Sequence, residues 1–152
     1  MRKQFAILFC AAFLALGALA NTALARDGVY RTVVVDTSRL AMKGQTHLAA
    51  SLKPMLAGEL SKAFGPRLGN SGGRLVVRVT RIKLGAYGGE SVTDGWIEDS
   101  IEGVIVVPGH GQIPIRVVLP PDTAGAWYAP NLDERRVYRL IEAFAQWTAR
   151  KV

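Results

Sequence analysis

The chain has 152 residues, one cysteine, and 19 Lys or Arg against 12 Asp or Glu, for a net charge of +7 at neutral pH. A single cysteine excludes a disulfide framework and a thiolate metal cluster within the chain. The length suits one domain with its own core.

The first 25 residues read as a cleaved signal peptide. Arg2 and Lys3 form a positive start, and residues 5–20 are apolar or small throughout. Ala23-Leu24-Ala25 then offers the small-x-small cleavage pattern, and Arg26-Asp27 restores charge. The apolar run is shorter than the roughly 20 residues of a spanning helix. Cys10 lies inside it without a lipobox, so the mature chain, residues 26–152, carries no thiol. These features point to a periplasmic protein, with secretion to the medium as the alternative. After cleavage no transmembrane segment is expected.

Val29 to Val35 is rich in β-branched residues and nearly continuous, as in a strand buried on both faces. Residues 45–64 place Leu48, Leu52, Met55, Leu56, Leu60 and Phe64 on one helical face, with Thr46 as a candidate cap. Pro54 should kink or split that helix, and Gly65-Pro66 should end it. Residues 74–84 and 96–107 predict two further strands. If they form a hairpin, one register sets Arg78 opposite Glu102 and Thr80 opposite Ser100. Residues 112–119 predict another strand, and Pro114 assigns it to a sheet edge because proline cannot donate to a ladder. Residues 131–150 predict the last helix, with Asn131 and Glu134 as a capping box and Val137, Leu140, Ile141, Phe144 and Trp147 as its buried stripe. The expected architecture is a single α+β domain, a two-layer sandwich of order β-α-β-β-β-α. Its sheet is mostly antiparallel, with two helices on one face.

Charge falls in blocks: +8 over residues 26–83, −7 over 84–134 and +4 over 135–152. Such blocks can pair within the fold or attract an anionic partner, such as a lipid surface.

No motif defines a catalytic centre. His47 and His110 lack partners at ligand spacing, so neither a metal nor a cofactor is expected. Asp94, Glu98, Asp99 and Glu102 form an acidic cluster that could serve a small hydrolase. The commoner use of such charges is a solvated strand face answering Arg78 and Arg81. Tyr87, Trp96, Trp127 and Tyr128 lie in or beside loops and could line a small-ligand groove. Nucleic acid is not an expected partner, because Arg74, Arg78 and Arg81 have no interleaved aromatics for stacking. Arg74, Arg78, Arg81, Trp96, Trp127 and Tyr128 are the candidate partner surface.

The segment Asp94 to Val107 (D-G-W-I-E-D-S-I-E-G-V-I-V-V), the turn and strand after it, and the closing helix from Leu132 to Arg150 follow an order seen elsewhere. In that order the exported chain resembles small envelope domains of outer-membrane assembly and secretion accessory proteins of Gram-negative bacteria. The resemblance implies a non-catalytic periplasmic accessory or binding domain that contacts an envelope protein.

Overall fold

Four strands, three α-helices and two short 3-10 turns lie in the described part of the chain, which in the computed structural model comprises residues 29–85, 98–126 and 128–152. Residues 1–28, Tyr87, Asp94, Trp96 and Trp127 lie outside it. In chain order the elements are β1 (Tyr30–Asp36), α1 (Ser38–Met42), α2 (Thr46–Phe64), β2 (Gly73–Lys83), β3 (Asp99–Val107), β4 (Gly111–Leu119) and α3 (Leu132–Lys151). The short α1 is an addition to the expected order. The α+β, two-layer architecture is otherwise as read from sequence.

The sheet runs β1-β2-β3-β4, with β1 parallel to β2 and the other pairs antiparallel. The α1–α2 connection supplies the length a parallel crossover needs. Leu52, Leu56, Leu60 and Phe64 of α2 and Leu140, Ile141 and Phe144 of α3 are fully buried with Leu75, Val77, Ile101 and Ile105 in one core. Strand β1 is not buried on both faces, because the described helices pack on one face of the sheet: Val35 is in the core, while Thr32 is exposed and Val34 half-exposed.

Helix α2 runs unbroken through Pro54. Pro54 and Ala50 both lie on its solvent side, so water can take up the carbonyl that proline leaves without a donor. The cap position is Gln45, not Thr46, and it makes no side-chain cap bond. At α3, Asn131 takes a left-handed conformation (φ 54°) and makes no side-chain cap bond, so no capping box forms. Instead its carbonyl accepts from the Arg135 N–H at 3.1 Å. The α3 stripe also differs at its end: Thr148 is buried, bonding the Phe144 carbonyl at 2.7 Å, and Trp147 is half-exposed. The true 3.6-residue period from Leu140 and Phe144 leads to 148, and 147 falls on the flank.

The β2–β3 register departs from the expected one. Arg78 faces Val104, Arg81 faces Glu102 and Lys83 faces Ser100, with a shift between Val79 and Arg81. The irregularity reverses the facing of β2: Leu75, Val77 and Val79 point into the core before it, and Ile82 after it. Strict alternation from Arg74 would place Ile82 on the side of Arg74 and Arg78. Thr80 is held at this point from two sides, its hydroxyl donating to the Glu102 carbonyl (3.2 Å) and its carbonyl accepting from Lys43 Nζ (2.9 Å). An extra residue in one strand is a bulge, which bends the strand and re-aims its side chains.

Candidate functional site

The face of the sheet opposite the helices meets none of the described helices, and β2 turns its arginines onto it. Arg74 and Arg78 share that side of β2 with Val76, and the bulge brings Arg81 and Lys83 round to join them. Arg116 on β4 completes the set, because it pairs with Glu102, which pairs with Arg81. A row of Arg81, Glu102 and Arg116 therefore crosses three strands, with Nε to carboxylate separations of 3.8 and 3.7 Å. Both arginines stay largely exposed, at 62% and 61%. Arg78 is tied more closely, its Nε donating to Asp36 Oδ2 at 2.8 Å. Hydrogen bonding from Ser38, then from Arg78, holds the Asp36 carboxyl down at about 2.

Trp96 and Trp127 lie outside the described residues, and Tyr128 is 76% exposed in the connection leading to α3. Trp147 is the large exposed aromatic that sequence reading assigned to the core. The Tyr138 hydroxyl donates to Glu59 of α2, so Tyr138 marks the α3 flank that faces α2. Trp147 stands nine residues on, about half a turn around the helix. Since α2 packs on β1 and α3 on β3 and β4, Trp147 lies on the β4 side, with the Arg150 guanidinium 5.6 Å from its ring.

Strand β4 is a free edge. Each of its nine residues pairs with β3, and no described strand lies beyond it. The opposite edge is partly closed, because Leu68 bridges Tyr30 and the Gly69 N–H bonds the Tyr30 carbonyl at 3.0 Å. An edge residue alternates its backbone groups between its neighbour and the outside. Pro114 fits the ladder because its missing donor falls outside. By the same alternation, Gln112, Arg116 and Val118 direct their N–H groups outward. Such an edge can accept an extended segment of another chain.

The acidic cluster is divided. Glu98 is exposed ahead of β3, Glu102 is part of the arginine row, and Asp94 is outside the described residues. Asp99 is 1% exposed, on the helix-facing side of β3. Arg136 of α3, 4% exposed, donates to it through Nε at 2.8 Å and through Nη2. Asp99 Oδ1 also accepts the Gly85 N–H at 2.9 Å, and Arg136 Nη2 donates to the Gly85 carbonyl. The pair joins the end of β2, the start of β3 and α3. Asp99 is thus a buried tie and not part of a solvated face. Its partner was missed, although Arg136 precedes Leu140 by four residues on the buried stripe, just as Asp99 shares the apolar side of β3 with Ile101 and Ile105.

A groove of about 300 Å³ between α2 and α3 is lined by Glu59, Lys62, Ala63, Glu142, Ala145 and Gln146. Its carboxylates are engaged, Glu59 with Lys62 at 2.7 Å and Glu142 with Arg139 at 2.9 Å. His47 is exposed at the start of α2 and His110 in the β3–β4 turn. Among the described residues no three His, Cys, Asp or Glu stand close enough to hold a metal, and no helix is long and apolar enough to cross a membrane.

No known family model matches this chain, and no curated protein is significantly similar to it.

Proposed function

We propose that the protein is an exported, non-catalytic accessory domain of the cell envelope that captures a partner protein along β4. The free β4 edge carries this reading. Three outward N–H groups, at Gln112, Arg116 and Val118, alternate with outward carbonyls over Gly111–Leu119. A partner strand would satisfy them by extending the sheet, and Trp147 on the adjoining flank offers an apolar, amphipathic ring to its side chains. Pro114 removes one donor from the middle of the edge, a feature that limits indiscriminate edge-to-edge pairing. Export rests on residues 1–25, and the order of elements supports the likeness to envelope accessory domains.

The test is a substitution confined to the outer side. Val118→Pro removes an outward donor at an exposed position, whereas Val118→Thr keeps it. Capture of an envelope protein, read by crosslinking from the edge in intact cells, should be lost with proline and kept with threonine, both variants melting cooperatively. Undiminished capture by folded Val118→Pro contradicts the reading. Val117→Pro is unsuitable, because Val117 is buried and its N–H points towards β3.

A further inference from the structure

The open sheet face differs from the edge in its chemistry. Within the strands it carries five cations, Arg74, Arg78, Arg81, Lys83 and Arg116, against two carboxylates, Asp36 and Glu102. Between them stand Val34, Val76, Val104 and Val106, half-exposed and short. We infer that this face docks the protein on an anionic lipid bilayer surface, in addition to and independently of the β4 edge.

Three features select that occupant. The excess of three positive charges is complementary to anionic headgroups and repels a second copy of the same face. The cations are spread over the plane of a four-stranded sheet, on long side chains, and converge on no pocket. A fluid array of headgroups can meet such a layout without a fixed geometry. The valines do not protrude past the arginines and lysine, so contact is electrostatic adsorption and not insertion. The single carboxylate shared by Arg81 and Arg116, at 3.8 and 3.7 Å, leaves both guanidinia with donors to spare for phosphate oxygens.

The test is co-sedimentation of the purified protein with vesicles of equal parts phosphatidylglycerol and phosphatidylcholine, against pure phosphatidylcholine. Binding should require phosphatidylglycerol and fall away in high salt. The double variant Arg81→Gln/Arg116→Gln should weaken it roughly thirtyfold, and Lys62→Gln/Arg139→Gln, which removes the same charge from the helix layer, by less than about threefold. Equal loss in both pairs would reduce the effect to net charge and overturn the assignment of the face. Binding that survives high salt, or no binding to anionic vesicles at low salt, would overturn electrostatic docking. Capture of soluble polyglutamate without vesicle binding would make the occupant an acidic protein instead. Val118→Pro should leave vesicle binding intact, so failure of the edge reading and failure of this one are told apart.

Discussion

Asp99 and Arg136 set the residue-scale account. Removing one member of a buried pair strands the other charge, which costs about 3–5 kcal/mol, whereas replacing both with apolar groups is far milder. Arg136→Met should therefore lower the denaturation midpoint sharply, and Asp99→Leu/Arg136→Met should recover at least half of that loss. A double variant as unstable as the single would show that the pair acts chiefly by holding Gly85. Gly103 is a second fixed point. A Cβ there would lie 2.5 Å from the Arg78 carbonyl oxygen and 2.8 Å from Phe144 Cζ, so the strand and α3 could not both keep their places. Gly103→Ala should destabilise by about 1–3 kcal/mol. Gly58, exposed in α2 with nothing within 4 Å of the same position, should gain about 0.5–1 kcal/mol as Ala. Chemical denaturation of the two variants reads both signs. Asp36 provides a titration. Its carboxyl is held at about 2 in the fold against an ordinary 3.8, so its contribution is complete above about pH 4 and disappears as pH falls through 2. Screening at this partly exposed site limits it to about 1 kcal/mol. Asp36→Asn should flatten the stability profile between pH 4 and 2; an unchanged slope would contradict the assignment.

At the scale of elements, periodicity revealed most of the fold because apolar spacing reports which side of an element is buried. It located α2 and α3 and all four strands, and Pro114 marked β4 as an edge. It failed where something other than side-chain spacing decided the outcome. Pro54 looked like a break, yet its lost bond falls on water. Residues 74–84 looked like one regular strand, and the bulge at Thr80 reversed its facing, moving Ile82 to the core and Arg81 to the open face. No residue type in that strand announces a bulge. The bonds that hold it come from Lys43, distant in sequence, and from the Glu102 carbonyl. The β2–β3 register differs from the expected one even ahead of the bulge, where Arg78 faces Val104 and not Glu102, and the bulge shifts it by one residue more. Trp147 was placed in the core as the next apolar residue at helical spacing after Phe144, while the phase set by Leu140, Phe144 and Thr148 turns it outward beside β4. That displacement supplies the edge with its aromatic neighbour.

Across the whole molecule, the charge blocks resolve in two ways. Acidic residues of the middle block meet basic ones from either side, Asp99 with Arg136 and Glu102 with Arg81. The basic block of the first half is not used up, since Arg74, Lys83 and much of Arg81 remain available on one face. The sequence showed the arginines of β2 but could not show that Arg116 joins them, because that depends on the pairing of β4 with β3. Strand alternation in the sequence does set Asp99 apart from Glu98 and Glu102, and the structure carries Asp99 and Glu102 on opposite sides of β3. Among the described residues the helices cover one side of the sheet, which presents two contact regions, a flat basic face and a strand edge at right angles to it.

The most direct test of partner capture at the edge is site-specific photo-crosslinking in intact Gram-negative cells, with the reactive group at Gln112 of β4 or at Arg139 on the outer side of α3. The account predicts a chain processed at Arg26 that forms a discrete envelope-protein adduct from position 112, little from 139, and none from 112 once Val118 is Pro. Adducts of equal yield from both positions, or an adduct from 112 that persists in folded Val118→Pro, would contradict it.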